Sequence, residues 1–154
     1  MIRLSKQADY GILLLGHFAK GAEGTTWSAR ELAEKAHLSP AMVAKVLKML
    51  TRSGLLESVR GVRGGYRLTR QPEEITVGQI IVAMDGPIAV TECAPEDPVD
   101  SDCAQEPWCP VRGSWKRLND AISDALDRVT LAEMTCPVAD PVGSFSYTDG
   151  QADV

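Results

Sequence analysis

Long apolar runs are missing from this chain. Residues 12–16, ILLLG, form the most apolar early stretch, and Asp9 and His17 bracket it. No small-residue cleavage site follows, so neither a secretory signal peptide nor a membrane span is predicted. We therefore expect a cytoplasmic protein whose thiols are kept reduced. The 154 residues, 44% of them apolar, suffice for one compact domain with an appendage.

Two familiar kinds of motif are also missing. The four cysteines include no Cys-x-x-Cys pair, which makes a zinc ribbon a poor match. No Lys-Ser/Thr follows the glycine-rich segment RGVRGG at 60–65 and no helix is predicted to open there, which disfavours a phosphate-cradling nucleotide loop. Neither a catalytic constellation nor an internal repeat is recognisable. We expect that the protein is not an enzyme.

The net charge of −5 is divided unevenly along the chain. Residues 1–70 carry 12 Lys and Arg against 5 Asp and Glu, whereas residues 71–154 carry 4 against 16. A basic front half suits double-stranded DNA, whose phosphates supply most of the sequence-independent affinity. The acidic rear half is expected to stay off the duplex. Charge alone leaves open that both halves merely carry solvated faces.

The front half contains signals for three helices. Ser5 can cap a helix that runs to about Lys20. Ser28 and Glu31 form a capping box, which predicts a short helix over about 29–36. After the break HLS, Ser39 caps again. The apolar residues predicted to face inward are Tyr10, Leu13, Leu14 and Phe18 on the first helix and Val43, Val46, Leu47 and Leu50 on the third.

Helix, tight turn and helix are followed by a basic hairpin. The segments LLESV and YRLT flank RGVRGG, whose three glycines are expected at positive φ and whose Arg60 and Arg63 are expected to point outward. This order predicts a winged helix, with an unspecialised hairpin as the alternative. The residues expected at a DNA duplex are Ser28, Ser39, Pro40, Ala41, Lys45, Lys48, Arg52, Arg60, Arg63 and Tyr66.

The rear half begins with another capping box, Thr76 and Gln79, which starts a short helix. A longer helix is predicted from about Gly113 to Met134, with an apolar stripe that suits either a two-stranded dimer seam or packing back on its own domain. The predicted organisation is therefore a winged-helix domain over 1–86, a cysteine-rich loop over 87–112, a dimerisation helix over 113–136 and a disordered tail over 137–154. The fold class is mainly α with a small β-hairpin.

Three of the four cysteines lie in the acidic loop. Nine residues separate Cys93 from Cys103, and five separate Cys103 from Cys109. No apolar neighbours are available to bury the thiols, and a metal or cluster would organise the loop by gathering thiolates. The spacing also permits unligated reactive thiols. Cys136 lies apart and is interpreted as a spare thiol.

The sequence resembles the Rrf-two family of winged-helix regulators, which includes the Isc, Suf and nitric-oxide-responsive repressors. The likeness covers about residues 1–135 and rests on RLSKQADYGILLL, on ELAEKAHLSPAMVAKVLKMLTRSGLLESVRGVRGGYRL and on the three-cysteine loop. The RGVRGGYRL wing is its most specific element. The opening LSKQADYG looks closest to the regulators of Suf iron-sulfur assembly operons.

The resemblance implies a homodimer that binds an iron-sulfur cluster of two or four irons through Cys93, Cys103 and Cys109. Isc-type members place a histidine three residues after the third cysteine, where this chain has Arg112. In the nitric-oxide-responsive branch an aspartate of the partner subunit's first helix completes the cluster, and Asp9 matches that position. An exposed aspartate that the helix dipole favours is the ordinary interpretation of Asp9. His17 is a weaker candidate.

The resemblance further implies a cluster-sensing transcriptional regulator, which we expect to repress iron-sulfur assembly genes. A nitric-oxide- or redox-responsive regulator of the same family is the alternative. Structural zinc in the loop is a second alternative, and an iron-sulfur electron carrier is one of another class, although it would need no basic recognition helix. The expected partners are an operator duplex and a second copy of the chain, with no membrane and no small-molecule substrate.

Overall fold

The computed structural model describes residues 3–61, 64–91, 103–104 and 106–136. The predicted sites at Arg63 and Cys93 lie outside these ranges, as do most of the predicted cysteine loop and the predicted tail over 137–154. The helices are α1 (Lys6–Ala19), α2 (Ala29–Ala36), α3 (Pro40–Arg52), α4 (Val77–Asp85), α5 (Arg112–Asp127) and α6 (Leu131–Thr135). The strands are β1 (Leu56–Val59) and β2 (Gly65–Leu68). Two 3-10 turns span Pro72–Glu74 and Glu106–Trp108.

The helix starts follow the predicted caps. The Ser5 hydroxyl oxygen accepts hydrogen bonds from the N–H groups of Gln7 and Ala8, both at 3.1 Å, and thereby caps α1. Both predicted capping boxes, at Ser28 and at Thr76, are present and are confirmed. Because each cap satisfies N–H groups that have no partner inside the helix, these short polar residues fix where the helices begin.

The hydrophobic core lies between α1, α3, α4 and the base of the hairpin. The predicted inward residues of α3 are fully buried, as are Leu14 and Leu15 of α1. Leu13 departs from its prediction, since 42% of it is exposed. A helix turns by about 100° per residue. The buried pair Leu14 and Leu15 defines the side of α1 that faces the core, and Leu13 is turned away from the middle of that side.

The hairpin is the only sheet among the described residues. Strand β1 pairs antiparallel with β2, with Leu56 opposite Leu68 and Val59 opposite Gly65. Leu56 is buried at the base, and the pair Glu57 and Arg67 makes a cross-strand ion pair of 2.6 Å on the exposed face. The two-strand wing predicted from the sequence is therefore confirmed.

The single helix predicted over 113–134 is wrong. Helix α5 ends at Asp127, and Thr130 starts the separate helix α6 with its own capping box to Glu133. The intervening turn pairs with the segment before α4, because Val77 N–H donates to Val129 O at 2.9 Å and Leu131 N–H donates to Ile75 O at 2.8 Å. These tertiary hydrogen bonds redirect the chain.

Helix α6 consequently belongs to the core. Leu131 is completely buried, and α6 packs against α1 with Thr135 Cγ2 close to Gly16. A helix from the far end of the described chain thus completes the core that the winged helix begins. In the part of the chain that the model describes, no helix is long and apolar enough to cross a membrane.

Candidate nucleic-acid interface and cysteine loop

The second helix of the helix-turn-helix begins where the sequence predicts. Ser39 is the N-cap of α3, and its hydroxyl oxygen accepts a hydrogen bond from Met42 N–H at 3.3 Å. Pro40 occupies the first helical turn, where its missing N–H costs nothing. Ala41 follows on the exposed side. The start of α3 is therefore fixed by local chemistry and does not depend on a partner.

The outer face of α3 is basic. Ala41, Lys45, Lys48 and Arg52 are all exposed, and their spacing of three or four residues places them on one stripe opposite the buried side of the helix. The ion pairs found among the described residues join Arg30 to Glu34, Arg67 to Glu57 and Lys116 to Asp120. None of these pairs involves a cation of the α3 stripe, so its cations are available to phosphates.

The tight turn between α2 and α3 carries an unusual backbone conformation. His37 caps the C-terminus of α2 in the left-handed region, with φ 53° and ψ 39°, and it is the only non-glycine residue at positive φ in the described ranges. Its N–H donates to Ala33 O. A left-handed residue at this point reverses the chain within three residues, which sets α3 across α2. The predicted break at HLS is confirmed.

The wing is anchored on the entrance to α2. Trp27 N–H donates to Tyr66 O at 3.0 Å, and Tyr66 N–H donates to Trp27 O at 2.8 Å. The side chain of Tyr66, predicted at the DNA, is partly buried and packs against the core. Arg60 is exposed at the end of β1, next to the hairpin tip. These hydrogen bonds tie the wing to the helix-turn-helix.

Two of the three glycines in the wing serve a purpose other than the predicted one. Gly61 has φ 120° as expected, but Gly64 and Gly65 do not adopt positive φ. A Cβ on Gly65 would collide with the backbone of Trp27, and one on Gly64 would collide with Val59 O. These glycines allow close backbone approach.

The side chain of Ser28, predicted to contact DNA, already forms hydrogen bonds within the protein. Its hydroxyl donates to Glu31 Oε2 at 2.7 Å and accepts from Glu31 N–H at 3.2 Å, while its own N–H donates to the same carboxylate at 2.8 Å. These hydrogen bonds, first from the backbone and then from the hydroxyl, lower the pKa of Glu31. Ser28 therefore orders the start of α2.

Trp27 lies between the wing and the start of α2. Its indole Nε1 is buried, and no hydrogen-bond partner for it exists among the residues the model describes. The ammonium of Lys35 lies 4.8 Å from the ring centroid of Trp27, within the range of a cation–π contact. The contact helps to hold α2 against Trp27, which lies just before the helix.

Two of the three predicted thiolate ligands can be located. Cys103 and Cys109 are free and half-buried, on either side of the 3-10 turn Glu106–Trp108. Trp108, next to Cys109, is 85% exposed. The described residues bring no three metal-ligating side chains together, and Cys93 lies outside them. The predicted ligand set therefore stays a prediction.

The predicted fourth ligand lines a groove between α1 and α6. Asp9 is exposed in the first turn of α1, and the groove that it shares with Leu13, His17 and Met134 encloses about 290 Å³. Leu13 and Met134 are 42% and 49% exposed there. Cys136, which follows α6 directly, is exposed and free. The groove thus gathers Asp9 and His17, the two candidate fourth ligands, on one surface.

The surroundings of His17 disfavour its charged form. Burial lowers the pKa of its imidazole below the ordinary value, and the positive charges of Lys35 and Lys20 lower it further. The neutral imidazole is the form that binds metals. The imidazole of His17 and the carboxyl group of Asp9 are both side-chain types that ligate metals.

Helix α5 leaves most of its apolar stripe uncovered. Leu118 is 43% exposed, Trp115 and Ile122 are half-buried, and Val129 lies beyond the end of the helix. Asn119, which the sequence analysis missed, is only 4% exposed, and its carboxamide oxygen accepts a hydrogen bond from Val90 N–H at 3.0 Å. A polar residue within an apolar helical stripe was the signal that could have revealed it.

Comparison with known proteins agrees with this architecture. Residues 4–137 match the model of the Rrf2 family, described as iron-dependent transcriptional regulators. The chain belongs to the Rrf2 family. It is the family that the wing and the α3 segment resemble.

Individual relatives of the Rrf2 family cover nearly the whole chain. The transcriptional regulator CymR of Bacillus subtilis is 31% identical over 153 residues, which span 99% of this chain and 96% of that protein. The regulator IscR of Aliivibrio salmonicida is 29% identical over 133 residues, covering 86% and 77% respectively. Both are named as HTH-type transcriptional regulators.

A solved structure confirms the fold. The structure of CymR, described as the global cysteine regulator of B. subtilis, superposes with a TM-score of 0.67 at 30% identity and covers 88% of this chain and 97% of that one. The mainly helical winged-helix class predicted from the sequence is therefore confirmed. This protein is a transcriptional regulator of the Rrf2 family.

Proposed function

We propose that this protein is an iron-sulfur cluster-sensing regulator that binds operator DNA and represses iron-sulfur assembly genes of the Suf type. The observation that supports DNA binding is the basic stripe of α3 beside an anchored wing. Its cations, Lys45, Lys48 and Arg52, form no ion pair with any described residue. A cation without an internal carboxylate partner gains most from a phosphate, because no existing ion pair has to be broken.

The cluster would be held by Cys93, Cys103 and Cys109. The two thiols that can be located fit the role, since both are free, half-buried and separated by a single short turn. Thiolate sulfur is the donor that iron-sulfur clusters use. When bound, such a cluster supplies a centre whose integrity responds to oxidants, nitric oxide or iron supply. Asp9 of a partner subunit is the proposed fourth ligand.

The chain provides a physical connection from the loop to α3. The hydrogen bond from Val90 to Asn119 fastens one end of the loop to α5, and Cys109 lies just before α5 begins. At the other end of α5, Thr76 donates to Asp127 Oδ1 at 2.8 Å and so ties α5 to the N-cap of α4. Helix α4 packs on α3. Ordering the loop would therefore bias the position of α3.

Dimer formation would complete the proposal. The uncovered stripe around Trp115, Leu118 and Ile122 is an apolar helix face that a second α5 would cover. A twofold axis at this seam would present two α3 helices to a palindromic operator. A two-stranded contact of this kind uses the stripe that the core of the single chain leaves open.

One experiment tests the proposal as a whole. The protein is purified without oxygen, its iron and acid-labile sulfide are counted, and the binding of holo and apo forms to an operator palindrome is measured at several salt concentrations. We expect a coloured protein whose two forms differ in DNA affinity and whose binding weakens steeply with salt. A colourless protein that contains zinc would favour the structural-zinc alternative. Salt-insensitive, sequence-independent DNA binding would favour the iron-sulfur electron carrier.

A second candidate is a regulator that senses thiol oxidation without a cluster. The similarity to CymR over 99% of the chain favours it, since the CymR of Staphylococcus aureus, 30% identical to this chain, has been solved in an oxidized form. Cys103 and Cys109, both partly accessible, would be the reacting thiols. The anaerobic preparation separates the two candidates, because this one predicts no iron, no visible absorbance and DNA binding that depends on reductant alone.

A further inference from the structure

The base-reading half of α3 carries almost no hydrogen-bonding groups. Pro40, Ala41 and Ala44 are exposed in its first two turns, and Lys45 is the first side chain after the cap that can donate a hydrogen bond from the exposed stripe. The hydroxyl of Ser39 is already the acceptor for the N–H of Met42. A recognition helix reads bases mainly from its N-terminal half. We therefore expect this half of α3 to recognise bases through apolar contacts.

The exposed alanines lead into a groove between α2 and α3. Its lining consists of Ala29, Arg30, Ala33, Glu34, Leu38, Pro40 and Ala44, and it encloses about 670 Å³. We call this surface, together with the exposed Ala41 that follows Pro40 on α3, the alanine groove. Arg30, the only cation in the lining, is held by Glu34 at 3.1 Å in an i, i+4 pair.

The chemistry of the alanine groove selects its occupant. The two polar residues of the lining, Arg30 and Glu34, are paired with each other. The remaining methyl groups and proline ring can satisfy neither the acceptors of guanine and adenine nor the amino group of cytosine, which would remain unpaired. The C5-methyl of thymine is the one apolar group that a base pair exposes in the major groove, and alanine is a known contact for it. The neighbouring cations Lys45 and Lys48, which form no ion pair with any described residue, favour a polyanion over an apolar protein segment.

We propose that Ala41 and Ala44 determine operator specificity by packing against thymine C5-methyl groups. This inference rests on the proposed function, because it requires α3 to lie in a major groove. Each operator half-site then contains a thymine opposite the alanine groove. Lys45 and Lys48 contribute affinity beside it, through phosphates or guanine, while the alanine groove contributes the preference for thymine.

The DNA side of the test removes one methyl group at a time. Preferred duplexes are selected from a random library with the intact protein, and each thymine is then replaced singly by deoxyuridine, which changes only the C5-methyl. We expect the dissociation constant to rise about threefold to fivefold at one or two positions in each half-site, as loss of one buried methyl predicts, and to stay unchanged elsewhere.

The protein side assigns the effect to the alanine groove. In Ala44→Gly and Ala44→Ser, and in the same changes at Ala41, the discrimination between thymine and uracil should shrink at the sensitive position and persist at the others. The serine variants serve as a check on helix stability, because serine costs α3 less than glycine does. Circular dichroism melting confirms that each variant is folded before its binding is measured.

The outcomes separate this inference from the proposed function. A protein that selects no sequence at all overturns both. Specific, salt-dependent binding without any uracil-sensitive position overturns only the thymine readout. A uracil effect that is equally large in the wild type and in all Ala41 and Ala44 variants places the methyl contact elsewhere and likewise overturns it.

Discussion

The carboxamide oxygen of Asn119 accepts a hydrogen bond from the backbone N–H of Val90, and this contact joins the middle of α5 to the segment that enters the cysteine loop. Asn119 is 4% exposed, while much of the surrounding face of α5 is open. The loop is therefore attached at a point of α5 that lies well away from Cys109, and the two attachments give α5 a defined position relative to the loop.

The first prediction concerns this attachment. Asn119→Ala should lower the free energy of unfolding by about 1 to 3 kcal/mol, because the Val90 N–H loses its buried acceptor. It should also speed hydrogen exchange of the Val90 amide. Ser114→Ala, an exposed change on the same helix, is the matched control and should alter neither quantity. Equal exchange rates at Val90 in wild type and Asn119→Ala would show that the hydrogen bond is not formed in solution.

The second prediction concerns the wing. Arg60→Ala should weaken operator binding and leave any visible spectrum unchanged, because Arg60 is exposed at the hairpin tip and remote in sequence from the cysteines. The same change at Arg63 is expected to act alike. Titration of labelled operator by fluorescence anisotropy gives the affinities, with the exposed Arg128→Ala as the control for lost positive charge. Unaltered affinity in Arg60→Ala would remove the wing from the interface.

The third prediction separates base contacts from phosphate contacts on α3. Replacing Lys45 by alanine should change the preference among operator variants more than replacing Lys48 or Arg52, because Lys45 lies nearer the N-terminal half that faces the bases. The Lys48 and Arg52 variants should weaken binding on all sequences and reduce its salt dependence. Competition between operator variants provides the measurement. A uniform loss in the Lys45 variant would make that residue a phosphate contact only.

The fourth prediction tests the ligands of the proposed cluster. Single replacement of Cys93, Cys103 or Cys109 by alanine should abolish visible absorbance in anaerobically purified protein. Replacement of Cys136 should leave the absorbance intact and is the control. The fluorescence of Trp108, adjacent to Cys109, should be quenched when the cluster is bound and should recover when it is removed. Full absorbance in any of the three loop variants would take that cysteine out of the ligand set.

Asp9 gives a sharper form of that prediction. A carboxylate is a harder ligand than a thiolate, so Asp9→Ala should retain a cluster that chelators or nitric oxide destroy faster. If the carboxylate comes from the partner subunit, the variant should also lose the difference in DNA affinity between holo and apo dimers. A stable cluster with unchanged switching would redirect the search to His17, in the same groove, or to a ligand from solution.

The fifth prediction follows from the lowered pKa of His17, which results from burial and from Lys35 and Lys20. The unfolded chain binds a proton at about pH 6.5, whereas the folded protein resists protonation of this imidazole until a lower pH. His17 therefore contributes stability above about pH 6.5 that is lost as the pH falls through the folded value. Urea denaturation at a series of pH values should show a decline that is shallower in His17→Gln. Parallel curves for the two proteins would contradict the prediction.

Much of the fold could be predicted because local chemistry determines it. The capping boxes of Ser28 with Glu31 and of Thr76 with Gln79 satisfy helix N–H groups within three residues, and Ser39 does the same for Met42. The sequence alone therefore contains all the partners. The buried side of α3 follows from its apolar spacing in the same way. Interactions between residues within one helical turn can be predicted from a single sequence.

The missed features depend on partners that are distant in the chain. The end of α5 depends on the pairing of Val129 with Val77, and the requirement for glycine at Gly65 depends on the backbone of Trp27. Thr130 with Glu133 did offer a visible capping box inside the predicted long helix, but the apolar stripe continued through it. The candidate site is similar: the α3 stripe was predictable, whereas the attachment of the loop through Asn119 was not.

The burial of Leu131 also has a consequence for how the protein is made. Leu131 is completely buried in a core whose other members lie between Ala8 and Met84. During synthesis, the chain cannot finish packing the recognition unit until residue 131 has been joined to it, although α3 is complete some 80 residues earlier. Contacts of such long sequence separation form late and slow the folding of a domain. The recognition unit therefore cannot be fully packed until α6 has been synthesised.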